Sequence, residues 1–124
     1  MTKNAGTYVK LQDAYAAESN QLGGWELIGY TAPGTKASST SFSSTNFTYS
    51  SAQTGGATVA LTAEGAAMNG GWIATARVAL NDCAANSAWT MNVTGKTDGI
   101  TYAKVYSDST NCKPLTPNFG NIGN

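Results

Sequence analysis

The chain has 124 residues, with seven Lys and Arg against seven Asp and Glu, and no His. This length suits one domain, and a net charge of zero gives no long-range attraction to nucleic acid or to an anionic membrane. The absence of His excludes serine-protease triads, the common zinc sites and most general-base schemes.

Residues 7–22 are predicted to form the only helix, with Thr7 as its N-cap and Gly23 and Gly24 as its stop signal. Four apolar side chains recur at the spacing of one helical face, and we expect this face to pack against a sheet. These residues are Tyr8, Leu11, Tyr15 and Leu22.

The segment 23–41 is interpreted as a helix-to-sheet loop. Within it, Trp25 is the better candidate for an exposed aromatic contact, and the alternative is that it covers the helix end. Across 42–106, apolar and polar residues alternate with period two, which predicts four or five antiparallel strands with one buried face and one Thr-rich face. Trp72 and Trp89 have the inward phase of their strands and are expected in the core.

Cys83 and Cys112 are the only cysteines. Two Cys without His cannot form a four-ligand structural zinc site, and their spacing is far from the C-x-x-C redox pattern. The remaining alternatives are a disulfide and two unrelated thiols. Small, polar, loop-like neighbours favour the disulfide, which would imply an oxidising compartment and would anchor an otherwise irregular tail over 113–124.

The predicted fold class is therefore α+β, with one N-terminal helix packed on a four- to five-stranded antiparallel sheet. Residues 1–124 would form a single domain with a disulfide-bounded C-terminal region. A helix laid on one sheet face is a common two-layer arrangement.

The helix sequence Leu-Gln-Asp-Ala-Tyr-Ala-Ala-Glu, residues 11–18, resembles the Gln-x-Ala-Tyr-x-Ala-Glu stretch of the long helix in type IV pilins and pseudopilins. The order of helix, loop, antiparallel sheet and Cys-bounded loop is similar to their globular domain. The resemblance implies that a Cys83–Cys112 bridge encloses the D-region of the pilin fold. It also implies that subunit contacts or adhesion involve the edges at about 23–41 and 83–112.

The family's basic leader and Phe-started apolar half-helix are not in this sequence, so the resemblance implies a soluble, truncated form. The implied function is that of a structural subunit of a type IV pilus or secretion pseudopilus, contributing to filament assembly and to surface adhesion or motility. The implied partners are other pilin subunits, contacted through the missing helix segment, and a surface or polysaccharide ligand. The implied location is the pilus outside the cell or on its surface, and before assembly the inner membrane of a Gram-negative-type cell. Membrane contact would be made only through the missing segment. No nucleic acid and no cofactor are implied.

Two other classes of function compete with a structural subunit. A secreted carbohydrate-binding or adhesion module would need Trp25 or another tryptophan exposed for stacking on sugar rings. An enzyme would need paired carboxylates, and no spacing suggests a pair, so no catalytic residue is expected. Four oxygen-bearing residues near the cysteines lack the spaced pattern of a calcium loop and are interpreted as turn-forming, so no metal ligand is assigned. They are Asp82, Asn86, Asp108 and Asn111.

Overall fold

The N-terminal helix, α1, runs from Thr2 to Ser19 in the computed structural model, which describes residues 1–124. It therefore begins and ends earlier than the predicted 7–22. Asn20 ends the helix by adopting the left-handed conformation at φ 57°, with its N–H donated to the carbonyl of Ala16. Asn tolerates this conformation better than most residues, so the helix ends before the glycines are reached.

After α1 the chain forms eight strands and two short helices, followed by two 3₁₀ turns at Lys113–Leu115 and Phe119–Asn121. The short helices are α2 (Trp25–Ile28) and α3 (Ser109–Cys112). The strands are β1 (Gln21–Gly23), β2 (Thr35–Ser38), β3 (Ser41–Ser43), β4 (Phe47–Ser50), β5 (Thr58–Ala60), β6 (Ala66–Ala76), β7 (Ala88–Lys96) and β8 (Gly99–Tyr106).

Six strands form one antiparallel sheet in the order β2-β3-β4-β6-β7-β8, and β1 pairs with β5 in a separate two-stranded sheet. The α+β class with an N-terminal helix and an antiparallel sheet is confirmed, but the main sheet has six strands rather than four or five. The additional strand β2 and part of β3 come from the segment predicted to be a loop. Their Ser- and Thr-rich sequence has too few apolar residues to show the alternation of a half-buried strand.

One side of the main sheet packs against α1 and its flanking segments to form a single core. Trp72 and Trp89 are fully buried there, as predicted, and along β7 buried residues alternate regularly with half-buried or exposed ones. Between Met68 and Trp72 the register of β6 shifts relative to β7. The shift places Gly71 against α1, where a Cβ atom would overlap the hydroxyl of Tyr8.

The buried stripe of α1 differs from the predicted one. Tyr8 is fully buried, whereas Leu11 and Tyr15 are only partly buried and pack beside the core. Leu22 is fully buried but lies in β1, outside the helix. The helix is rotated so that a smaller and more polar stripe faces the sheet. The buried residues of α1 are Ala5, Tyr8, Val9, Gln12 and Ala16.

The C-terminal segment is held by more than the disulfide. Phe119 is fully buried, with its ring 6.1 Å from that of Trp72 and 5.5 Å from that of Tyr106. The Lys104 ammonium donates to the carbonyl of Ile122 at 2.8 Å. The disulfide predicted to anchor the tail is present, and an aromatic side chain that inserts into the core beyond it is a second anchor.

Candidate functional surfaces

The junction of α1 with β1 is organised by one buried amide. Gln12 is 0% exposed, and its Oε1 accepts the Gly23 N–H at 2.9 Å while its Nε2 donates to the Gly23 carbonyl at 2.9 Å. The same nitrogen donates to the Tyr8 hydroxyl at 3.2 Å. The side chain thus satisfies both backbone groups of Gly23, as a neighbouring strand would, and fastens the helix to the chain that follows it.

A second contact joins α1 to the strand at the sheet edge. The Tyr102 hydroxyl lies 2.7 Å from Asp13 Oδ1 and 3.3 Å from the Val9 carbonyl. Burial raises the pKa of Tyr102, and the hydrogen bond to the Asp13 carboxylate and its negative charge raise it further. Burial also raises the pKa of Tyr8 and of Tyr30 to about 12. These hydroxyls act as neutral donors and acceptors that fix the position of the helix.

Cys83 and Cys112 form a disulfide with an S–S distance of 2.00 Å, and both residues are fully buried. The disulfide predicted from the sequence is therefore confirmed. The segment that it encloses, 83–112, is not mainly a loop, because β7 and β8 occupy most of it. The bridge joins the loop before β7 to α3 after β8, and so closes the base of this hairpin.

Two of the four oxygen-bearing residues near the disulfide, Asp108 and Asn111, bond to each other. The Asp108 carboxylate accepts the Asn111 backbone N–H at 3.2 Å and its side-chain amide at 3.0 Å, which caps α3. These hydrogen bonds lower the pKa of Asp108. Asn86 adopts a positive φ of 73°, as a turn requires. No group of three or more His, Cys, Asp or Glu side chains lies close enough together to hold a metal ion.

All three tryptophans are buried, and each indole N–H has a partner within the protein. Trp25 is 1% exposed and donates to the Gly71 carbonyl at 2.8 Å, so the prediction of an exposed Trp25 is wrong. The β6 irregularity at Gly71 provides this acceptor, which the local sequence of Trp25 does not reveal. Trp72 donates to the Tyr30 hydroxyl at 3.0 Å and Trp89 to Thr116 at 2.9 Å. None of these indole rings is available to stack on a sugar.

The outward face of the main sheet is rich in hydroxyls, and Lys96 at the end of β7 is its one charged residue along β4, β6, β7 and β8. Cross-strand pairs on this face include Thr48 opposite Thr75, and Thr94 opposite Thr101 with their hydroxyls 2.7 Å apart. The uncharged outward residues of β4, β6, β7 and β8 include Thr48, Ser50, Ala67, Ile73, Thr75, Ala88, Thr90, Asn92, Thr94, Thr101, Ala103 and Val105.

Two open clefts lie at opposite ends of the β7–β8 hairpin. The cleft of about 620 Å³ beside the hairpin turn is bordered by Glu64, Lys96 and Asp98. The cleft of about 550 Å³ lies beside the start of α1 and is mainly apolar, with Leu80 and Leu115 in its wall.

Comparisons with protein families, with curated proteins and with solved structures find no match to the chain. No helix of the structure combines the length and the apolar character needed to cross a membrane. The architecture and the resemblance in the helix sequence are therefore the grounds on which a function can be proposed.

Proposed function

We propose that this chain is a structural subunit of an extracellular filament of the type IV pilin or pseudopilin class. The observation that carries the proposal is that α1 is fastened at Gln12 and Asp13 to the β1 strand and to the edge of the antiparallel sheet. Gln12 joins it to Gly23 near its C-terminal half, and Tyr102 joins it to the sheet edge at Asp13. A helix held in this way can transmit force between a filament core and the outer domain.

The remaining features support a packing role over a catalytic one. The disulfide suits an oxidising environment outside the cytoplasm, where such bridges persist. The nearly uncharged, hydroxyl-rich sheet face suits close contact with neighbouring subunits or with a surface. The opposite side of α1 is exposed at Lys3, Lys10 and Ala17, and is open to contact in an assembly.

In this proposal the partners are other pilin subunits, which in this class assemble through an apolar helix. Before assembly the subunit would sit at a Gram-negative-type inner membrane through that helix, and afterwards it would lie in the pilus outside the cell. Surface adhesion, motility and secretion are the outputs that such filaments serve. The tryptophan-based alternative of a sugar-binding module has lost its basis, because the three rings are buried.

The proposal is tested by locating the protein in the organism that encodes it. Antibodies raised against residues 1–124 should label surface filaments in immunogold electron microscopy, and sheared filaments should contain the protein. A strain with the gene deleted is the control. Protein that is found only free in the medium, with no labelled filament, would refute the proposal.

A further inference from the structure

The two edges of the six-stranded sheet differ in how well they are protected against pairing with another chain. The β2 edge has four residues, includes Lys36, and has a register shift between Lys36 and Ser38. Short length, lysine and irregularity are features with which proteins protect edge strands. The β8 edge has eight residues and pairs with β7 without a shift. It therefore keeps the regular geometry that strand addition requires.

The free backbone groups of β8 can be identified from its ladder with β7. The Ser107 N–H donates to the Ala88 carbonyl at 3.0 Å, so these two residues form a hydrogen-bonded pair. Bonded and non-bonded pairs alternate along an antiparallel ladder, so the even-numbered residues of β8 direct their N–H and C=O groups to the open edge. No turn, loop or cap hydrogen bond of the chain uses these groups. The four residues are Ile100, Tyr102, Lys104 and Tyr106.

The side chains of β8 do not block this edge. Lys104 is its only charged residue, and the ammonium is turned toward the C-terminal segment, where it donates to the Ile122 carbonyl and to Asn124 Oδ1, both at 2.8 Å. Ala103 and Val105 are exposed on the outward face and are small or β-branched. A lysine that is engaged with its own tail gives little protection against an incoming strand.

We propose that β8 is an interaction surface for the β8 strand of a second copy of this chain, paired antiparallel about a two-fold axis at Ala103. The position of the axis follows from charge and hydrogen bonding. An axis at Lys104 would place two ammonium groups opposite each other, which is destabilising. An axis at Ala103 places Lys104 opposite Tyr102 of the second copy and Thr101 opposite Val105.

This register is also the one that uses all the free backbone groups of the edge. Ala103 lies midway between Ile100 and Tyr106, so an axis on it makes each of the four even-numbered residues of β8 meet another of the four in the second copy. Tyr102 pairs with Lys104, and Ile100 pairs with Tyr106, so all four residues take part in hydrogen-bonded pairs. The proposal does not depend on the filament proposal, because it uses only the edge of this domain.

Cross-linking tests the register directly. In the proposed dimer the two Ala103 residues form a non-bonded pair, whose Cβ atoms lie about 5 Å apart and can be joined by a disulfide after substitution by Cys. Ala103→Cys should yield a covalent dimer on mild oxidation, roughly ten times faster than the matched edge variant Ala37→Cys on β2. Circular dichroism checks that both variants are folded. Equal rates, or no dimer from Ala103→Cys, would overturn the proposal.

A measurement without added cysteine covers the case in which oxidation distorts the result. Strand addition buries little surface and belongs to the weak class of interface, so sedimentation should be followed up to about 1 mM protein. The mass should rise from 12.8 kDa toward twice that value. Ala103→Lys should raise the dissociation constant by roughly tenfold or more, because it places like charges opposite each other, whereas Ala103→Thr should preserve association. A monomer throughout the range, or a dimer insensitive to Ala103→Lys, contradicts the inference.

Discussion

Replacing the buried amide of Gln12 is the sharpest test of how the helix is held. Gln12→Leu keeps a side chain of similar size but removes the partners of three polar groups, namely the Gly23 N–H, the Gly23 carbonyl and the Tyr8 hydroxyl. Because Gln12 and Gly23 are buried, water cannot replace the lost bonds unless the junction opens. The expected outcome is a large loss of stability with the fold retained.

The size of the effect can be estimated from these contacts. Three unsatisfied groups at about 1.5 kcal/mol each amount to about 4.5 kcal/mol. The apolar surface of the new leucine offsets about 1.5 kcal/mol of this. The free energy of unfolding should therefore fall by about 3 kcal/mol, which for a domain of this size lowers Tm by roughly 12 °C.

Urea unfolding followed by tryptophan fluorescence measures this change, since all three tryptophans are buried. The slope of the free energy against urea should be unchanged, so that the shift in midpoint reports stability alone. Gln53→Leu is the matched control, because Gln53 is only half-buried and makes one side-chain donor contact, to the Asn69 carbonyl at 2.7 Å. A loss for Gln12→Leu below about 1 kcal/mol, or no larger than for Gln53→Leu, would refute the reasoning.

Gln12→Glu separates the hydrogen bonds from the shape of the side chain. Burial beside the Gly23 carbonyl should raise the pKa of the new carboxyl above its unfolded value of about 4.3. The folded state then binds the proton more tightly than the unfolded state does. The variant is therefore most stable below about pH 4.3 and loses stability as the pH rises through the raised pKa of the folded state. The difference in unfolding free energy from the natural protein should grow with pH for Gln12→Glu and stay nearly constant for Gln12→Leu. A pH-independent difference for the glutamate variant would contradict the buried contact.

Three further predictions concern the disulfide, the C-terminal anchor and the buried phenols. Replacing both Cys83 and Cys112 by Ser should lower the free energy of unfolding by about 3.6 kcal/mol in the chain-entropy model, as measured by urea unfolding, and an unchanged midpoint would refute this. Phe119→Ala should cost about 3–5 kcal/mol and increase amide hydrogen exchange across the C-terminal turns, and a loss below about 1 kcal/mol would show that the ring is not a core anchor. Because burial raises the pKa of Tyr8 and Tyr30 to about 12, stability should be retained below about pH 10 and fall as pH rises toward 12. Tyr8→Phe should make the free energy of unfolding fall less steeply with pH, by about 1.4 kcal/mol per pH unit, in urea titrations at alkaline pH. An unchanged dependence on pH would argue against a buried Tyr8 phenol.

The sequence determined those parts of the protein whose signal is local or repetitive. The alternation around Trp72 and Trp89 predicted strands with one buried face, because the period of a strand is two whatever its neighbours are. The α+β class and the N-terminal helix followed from the change of period along the chain. The cysteines were predicted to pair because their number, their surroundings and the missing His left few alternatives.

Only the tertiary structure decided which polar groups and edges the fold uses. Gln12 sits on the buried stripe because its amide meets Gly23, a contact between residues that the helix pattern treats as unrelated. Trp25 is buried because an irregularity in β6 brings the Gly71 carbonyl to its indole N–H. Phe119 enters the core from a segment without periodicity, and β8 becomes an open edge only because of the order in which the strands pair. These features depend on partners distant in the chain, and hydrogen-bond satisfaction between such partners leaves no periodic trace in the sequence.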